Sequence, residues 1–460
     1  MQTGYIKMNS LQESAGKIKL AAVSLGCSKN RIDTEEIFGF LAGNGMILTD
    51  DWRLADIIIV NTCGFIEQAQ QESINTILEI AQKKKKNVRL IVTGCLVEVF
   101  GSALLKRIPE VNGALGVHSY KHIKRFMKII LNNRRVVIKN KPAEKFSSLS
   151  SRILTAPPHS VNVKIAEGCS NYCHYCLIPK IRGHYRSRRP EEIVDEIKRL
   201  VESGTSEIVL IAQDTTAYGC ELEDSPDLSG LIEKIMGLKH NFWLRIMYTY
   251  PSRINKSLLE IIAKETRVCS YLDIPIQHVN DKILSDMSRF YRKKELTELL
   301  VLIRKMIPNI VLRTTCMVGY PGESKRQFDE MLEFIQEYPF EQLGAFAYSA
   351  QKDTISAGMA KQVPQRVINK RLHRLMAKQQ KIAHLTNLKM VGINCMVIVD
   401  KEAAEGGKWY YGRTEFQAPD VDGGVFFRSA VKHKQGDWVS VKICAAAPYN
   451  LLALKTAPIK

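Results

Sequence analysis

Three apolar, β-branched runs near the start of the chain each end on a cysteine and pass straight into a helical pattern. "IKLAAVSLGCSKN" reaches Cys27, "ADIIIVNTCGF" reaches Cys63 and "VRLIVTGCLVE" reaches Cys95. Alternation of such runs with stretches like "TEEIFGFLAG" and "QQESINTILEIAQ" predicts an open parallel sheet covered by helices. In a sheet of that kind the crevice lies beyond the carboxyl ends of the strands, so cysteines far apart in sequence can converge there. A free cysteine is ordinarily a small buried hydrophobe. The repetition of strand, cysteine and helix is what raises shared metal binding against that plainer reading.

The rhythm changes twice more. The stretch "NKPAEKFSSLSSRILTAPPHS" carries Ser and Pro with little periodicity and reads as a linker. Six strand candidates then alternate with helices: "VNVKIAEG", "SEIVLIAQD", "NFWLRIMYTYP", "CSYLDIPIQH", "NIVLRTTCMVGYPG" and "EQLGAFAYS". They predict an incomplete (β/α)6 barrel related to the eight-stranded one, with chemistry at the carboxyl ends of its strands. Five short strands without helices follow, from "INCMVIVD" to "YNLLALK", and predict a small antiparallel, OB-like β-barrel. A chain of 460 residues has room for all three. The division reads as 18–135 for the N-terminal open α/β sheet, 136–158 for the linker, 159–388 for the barrel and 389–457 for the small β-barrel.

No stretch reaches the roughly 18 uninterrupted apolar residues of a membrane span, and the first twenty residues lack a signal-like apolar core. The expectation is a cytoplasmic protein with no membrane partner. Eleven cysteines, an odd number, argue for thiols or metal ligands rather than a disulfide framework. A formal charge of +19 points toward a polyanionic or ribonucleoprotein partner. The run Lys83 to Lys86 reads equally well as a solvated helix end favoured by the helix dipole or as a phosphate contact.

The strongest chemical signal is "EGCSNYCHYCLIP", which sets Cys169, Cys173 and Cys176 in a C-x3-C-x2-C arrangement after the first barrel strand. Three thiolates within eight residues select zinc or an iron-sulfur cluster. Structural zinc is closed by four protein ligands. His174 is the local candidate for a fourth, but adjacent side chains in so short a loop would strain to reach one ion. A zinc-stabilised RNA-binding protein without catalysis is the reading that follows if they do. Cys220, Cys269, Cys316, Cys395 and Cys444 lack partners at ligand spacing and read as buried hydrophobes.

A three-cysteine loop of this spacing at the end of the first strand of a six-unit barrel, with Tyr175 before the last cysteine, resembles the radical S-adenosylmethionine (SAM) enzymes. The resemblance implies a [4Fe-4S] cluster on Cys169, Cys173 and Cys176 with one iron open to SAM. The three-region order is similar to the methylthiotransferases, whose last region is a TRAM barrel. That resemblance implies a second [4Fe-4S] cluster on Cys27, Cys63 and Cys95. The stretches "SLGCSKNRIDTE", "KIAEGCSNYCHYCLIPKIRG", "IAQDTTAYG", "LDIPIQH", "VGYPGE" and "APDVDG" resemble the class acting on a small-subunit ribosomal protein rather than the one acting on adenosine in tRNA. Ser28, where relatives commonly place Pro, and Cys316 with Met317, where they often carry Phe-Ile, depart from the pattern. What the resemblance implies is transfer of a methylthio group to the β-carbon of an aspartate, with two SAM molecules, the ribosomal protein or the ribosome as partner, and an electron donor such as flavodoxin or ferredoxin. A tRNA substrate is the alternative.

Apart from Tyr175, which the cysteine loop itself carries, other candidates rest on position in or at the ends of barrel strands. Tyr175, Gln213, Asp273, Arg313 and Glu323 are expected to bind the cofactor, with Asp214, Gln277, His278 and the turn from Gly319 nearby. For each, a satisfied polar group at a barrel rim is the plainer reading. Arg182, Arg186, Arg188 and Arg189 follow the cysteine loop and are candidate contacts to substrate or to a SAM carboxylate, against solvent-exposed loop charge.

Overall fold

The computed structural model of the protein describes residues 17–146, 152–223, 226–403 and 408–456. Part of the expected linker, 147–151, lies outside the described residues, as does residue 457. The chain clusters into two compact units. Of the described residues, the first holds those before 157 with 166–172 and 176–188, and the second holds 157–165, 173–175 and those from 189 onward.

The first unit is built on β1 (Lys19–Ser24), β2 (Ile47–Leu48), β3 (Ile57–Thr62), β4 (Arg89–Gly94), β5 (Val111–Leu115) and β6 (Val136–Ile138). Every pairing is parallel and the order is β2-β1-β3-β4-β5-β6. The helices are α1 (Ser28–Gly43), α2 (Glu67–Lys83), α3 (Cys95–Phe100), α4 (Ser102–Arg107) and α5 (Ile123–Leu131). Apolar side chains of β3 and β4 alternate between two clusters, Ile58, Val60, Leu90 and Val92 in one and Ile57, Ile59 and Ile91 in the other, so both faces of the sheet are covered. Strand β5 escapes an apolar-run search because it contains Gly113. A Cβ there would stand 2.5 Å from Ile130 and 2.7 Å from Phe126 of α5, so the missing side chain is what lets α5 pack onto the strand.

Helix α1 buries Lys29, Asn30, Asp33, Thr34, Glu35 and Glu36 beside Ile32, Ile37 and Phe38, and so lacks an amphipathic pattern. Glu35 accepts from Arg152 Nε at 2.7 Å and from Thr155 N and Oγ1 at 2.8 Å, which ties the end of the linker back to the sheet. The lysine run falls where α2 stops. Lys83 pairs with Glu79 at 2.7 Å and Lys84 Nζ donates to the Val88 carbonyl, which accords with a capped helix end.

Strand β7 (Ser160–Lys164) belongs to the second unit and leads into β8 (Ala166–Glu167), which pairs antiparallel with β9 (Arg186–Ser187); α6 (Ile178–Arg182) lies between them in sequence. The second unit then adds β10 (Glu207–Ile211), β11 (Trp243–Ile246), β12 (Val268–Asp273), β13 (Val311–Val318) and β14 (Gln342–Ala347). With β7 they form a six-stranded parallel sheet in sequential order, the incomplete barrel expected. Among the described residues it is accompanied by α7 (Pro190–Glu202), α8 (Leu228–Met236), α9 (Lys256–Lys264), α10 (Asp281–Asp286), α11 (Lys293–Met306), α12 (Lys325–Glu337) and α13 (Gln365–Leu388).

The last part is a closed barrel of β15 (Asn394–Glu402), β16 (Trp409–Arg413), β17 (Val425–Arg428), β18 (Trp438–Ala446) and β19 (Leu451–Lys455) in the order β15-β16-β17-β19-β18. It is not wholly antiparallel as expected: β17 and β19 run parallel. Five strands, an odd number, cannot alternate direction all the way round a closed ring, so one pairing must be parallel.

A buried polar network joins this barrel to the six-stranded sheet. Glu207 accepts from Arg245 at 2.8 Å, from Arg413 at 2.7 Å and from Ser160 Oγ at 2.7 Å. Arg413 also reaches Asp400 at 2.8 Å, and Arg245 Nη1 donates to the Glu415 carbonyl at 2.7 Å. Trp243 and Trp438 meet edge to face with centroids 4.6 Å apart. Among the described residues no helix is long and apolar enough to cross a membrane.

Candidate functional site

Strands β1, β3 and β4 are immediate neighbours, and Cys27, Cys63 and Cys95 lie just beyond their carboxyl ends. Neighbouring strand tips are about 4.8 Å apart, so the sheet itself gathers three residues separated in sequence. Cys27 is the N-cap of α1 and Cys95 opens α3. Glycines make the gathering possible. Gly26 has φ +87°, and a Cβ on it would lie 2.7 Å from Cys63 Cβ; one on Gly64 would lie 2.9 Å from the Cys95 carbonyl. Gly94, at φ +95°, faces Asn61 and Thr62 just as closely.

Exposure is graded: Cys95 is buried, Cys63 intermediate and Cys27 exposed. Burial pushes the Cys63 thiol up to about 12, and the charges of Cys95 and Cys27 push the same way. Burial also raises Cys95, while the Arg182 guanidinium opposes it. The three sulfurs thus feel one another. Among the described residues, no three His, Cys, Asp or Glu side chains converge as closely as one metal ion requires. Three thiols around a shared wall, with no fourth protein ligand, are a donor set suited to an iron-sulfur cluster, a group wider than a single ion.

The polar residues of α1 brace this wall. Asn30 Nδ2 donates to the Leu25 and Thr62 carbonyls at 3.0 and 2.9 Å, and Asn61 Nδ2 donates to the Asn30 carbonyl at 2.7 Å. Arg182, 2% exposed, donates to Asp33 Oδ2 at 2.7 Å, to Asn30 Oδ1 at 2.5 Å and toward Cys95 Sγ at 3.5 Å. Arg186 and Arg188 are also buried, Arg186 donating to the Ala143 and Arg182 carbonyls, whereas Arg189 is exposed. Solvent-exposed loop charge therefore describes Arg189 but not Arg182, Arg186 or Arg188. Sequence reasoning missed Asn30 and Asp33 altogether; the signal was the dense polar run "SKNRIDTEE" in a helix flanked by apolar strands.

In the second cysteine loop, Gly168 has φ +80° and no space for a Cβ against the His184 carbonyl, and Cys169 N donates to the Gly183 carbonyl at 3.0 Å. Cys176 Sγ accepts from Ile178 N at 3.4 Å. In the other unit, Cys173 Sγ lies 3.8 Å from Arg289 Nη1, a buried guanidinium stacked on Tyr250 at 4.3 Å. His174 directs Nδ1 to the Asp286 carbonyl at 2.9 Å, so that nitrogen is committed to backbone rather than to a metal.

The remaining candidates divide by what they touch. Tyr175 packs edge to face on Tyr320 with centroids 6.5 Å apart. Gln213 is half-buried just past β10, and Asp214 accepts from Arg253 at 2.6 Å. Asp273 ends β12 and accepts from Tyr248 N at 3.0 Å. Arg313 lies 3.5 Å from Asp273 and 3.3 Å from Asp422 of the small barrel. Gln277 has φ +63° and donates its backbone N–H to Thr315, and His278 is fully buried, accepting from Asn280 N. Glu323 accepts from the backbone N–H groups of Gly319 and Tyr320; burial pushes its carboxyl up to about 7 against the pull of Arg371. Cys269, Cys316 and Cys395 are buried as expected, but Cys220 and Cys444 are exposed, because each sits on a turn or an outward strand position.

Comparison with known proteins follows the same partition. Residues 19–116 match the uncharacterized protein family UPF0004, 163–335 the radical SAM superfamily and 391–454 the TRAM domain. The chain is 41% identical over 437 residues, 94% of it and 98% of the relative, to the ribosomal protein uS12 methylthiotransferase RimO of Pelotomaculum thermopropionicum. It is 42% identical over 440 residues, 95% of it and 98% of the relative, to that of Clostridium acetobutylicum. Among solved structures, the radical SAM methyltransferase TsrM of Kitasatospora setae matches in fold with a TM-score of 0.56 at 15% identity, covering 72% of this chain and 73% of that one. A likeness of over 40% along nearly the whole of both chains places this protein in the RimO family of radical SAM methylthiotransferases.

Proposed function

We propose that this protein adds a methylthio group to the β-carbon of an aspartate in ribosomal protein uS12. The observation that carries the reading is the whole-length likeness to enzymes of that name, reinforced by three cysteines at adjacent strand tips. In this reading Cys27, Cys63 and Cys95 would hold one [4Fe-4S] cluster and Cys169, Cys173 and Cys176 the other. Bound there with SAM, these groups supply the sulfur, a transferable methyl group and a 5'-deoxyadenosyl radical.

The chain's own residues hold and orient. Arg182 sets a buried positive charge against Cys95, and Arg289 does so near Cys173. Gln213, Asp273 and Tyr175 are proposed as contacts to SAM. Arg313 and Glu323 already have partners in Asp273, Asp422 and backbone N–H groups, and in this reading they position the cofactor's surroundings. Burial of Cys95 and Asn30 keeps water from the inner side of the first cysteine trio, which a radical reaction requires. Electrons come from a flavodoxin or ferredoxin, and uS12, free or within the ribosome, is the protein partner.

The test is mass spectrometry of uS12 and of tRNA nucleosides from a strain lacking the enzyme and from the same strain complemented with it. The expected result is a uS12 peptide gaining the mass of a methylthio group only on complementation. An unchanged uS12 with a newly modified tRNA nucleoside would replace this reading with the tRNA one.

A further inference from the structure

Arg182 is the residue whose surroundings the proposed chemistry does not yet account for. Its guanidinium is fully buried, yet it is not a simple ion pair. It spans Asp33 Oδ2 at 2.7 Å, Glu167 Oε2 at 3.2 Å, Asn30 Oδ1 at 2.5 Å and Cys95 Sγ at 3.5 Å. Asp33 and Asn30 come from α1, which Cys27 caps, and Cys95 opens α3. Glu167 precedes Cys169 by two positions, and Arg182 itself closes the short helix that follows Cys176. Two carboxylates are more than enough to neutralise one guanidinium, so the fourth contact, to sulfur, is not needed for charge balance. Burial is costly for a cation unless every donor is matched, and the planar fork of arginine can match acceptors spread around it, whereas the donors of lysine all radiate from one point.

We infer that Arg182 is a positioning residue for the N-terminal cluster. It holds the Cys95 sulfur by a charge-assisted hydrogen bond and, through Glu167 and its own place after Cys176, links that sulfur to the segment bearing Cys169 and Cys176. A donor and a positive charge at a ligand sulfur favour the more negative, reduced state of a cluster, so Arg182 raises its potential. Partners of this kind, behind the ligands themselves, typically govern how firmly metal is held. The inference rests on Cys27, Cys63 and Cys95 holding a cluster.

The experiment uses the full chain with Cys169, Cys173 and Cys176 changed to Ala, reconstituted anaerobically so that only the first trio can load. Bound iron of about four atoms per chain is the first expectation; absence of iron defeats the reading and this inference together. Arg182→Met and Arg182→Lys are then compared by potentiometric titration and by iron release to a chelator. The expected result is a lower potential in both, larger for Met, with iron release faster by about 10-fold. Iron retained with unchanged potential and unchanged release overturns the inference alone. Should Arg182→Met fail to fold, Arg182→Lys decides: it keeps the charge but cannot span four acceptors, so a potential equal to that of the Arg182 protein defeats the claim.

Discussion

Gly26 has no room for a side chain and no freedom to take one. Its φ of +87° costs a residue with a Cβ about 1–3 kcal/mol, and the added carbon would lie 2.7 Å from Cys63 Cβ. Gly26→Ala is therefore expected to destabilise the fold by about that amount and to push Cys63 out of register with Cys27. Urea unfolding should show the first effect and iron content after reconstitution the second. Alanine at Gly43, the last residue of α1, where nothing stands within 4 Å of a new Cβ, is the control that lowers neither stability nor iron content. At this scale the cysteines were legible, because thiols at repeated positions after apolar runs are rare enough to stand out. Arg182 was legible only as a candidate: charged side chains are almost always exposed, and nothing in "PKIRGHYRSRRP" marks which arginines turn inward.

Among elements, the charged network between β10, β11, β15 and β16 has the clearest pH signature. Burial alone would push the Glu207 carboxyl up, but Arg413 and Arg245 together hold it at about 2. A carboxylate held below its unfolded value of about 4.3 contributes stability that is fully present above that pH and lost as pH falls toward 2. The urea midpoint should therefore drop between about pH 5 and pH 2, and Glu207→Gln should flatten that slope. The same variant leaves Arg245 and Arg413 buried with one partner fewer, a change that costs about 3–5 kcal/mol at neutral pH. Strands with long apolar runs, β1, β3 and β4, were readable from pattern. Three others were not: β2 has two residues, β6 has three, and β5 gives up a side chain at Gly113. The parallel closure of β17 on β19 escaped too, since strand direction is a property of the ring and not of any local pattern.

For the molecule as a whole, the two cysteine trios arise differently, one from a single loop and one from three neighbouring strands, and they are separable. Replacing Cys27, Cys63 and Cys95 by Ala removes no cysteine of the second loop, although Cys95 packs on Leu177 and Ile181 just beyond that loop and takes the Arg182 contact. Iron should then fall by about four atoms per chain while reductive cleavage of SAM persists. Unchanged iron would remove the first trio as a ligand set. The order of three regions was legible because each has its own rhythm of apolar residues. The division into two compact units was not, because it cuts through the loop itself, with Cys173 in one unit and Cys169 and Cys176 in the other.

The closed five-stranded barrel has a consequence for synthesis. Glu207 and Arg245 emerge from the ribosome early, yet Arg413 comes about two hundred residues later, and the ring that seats it closes only once β19 has paired with β17 and β18. Until then a nascent chain carries a charged, half-matched floor beneath its parallel sheet. The second guanidinium of Glu207 is thus seated last, by the strand that closes the ring.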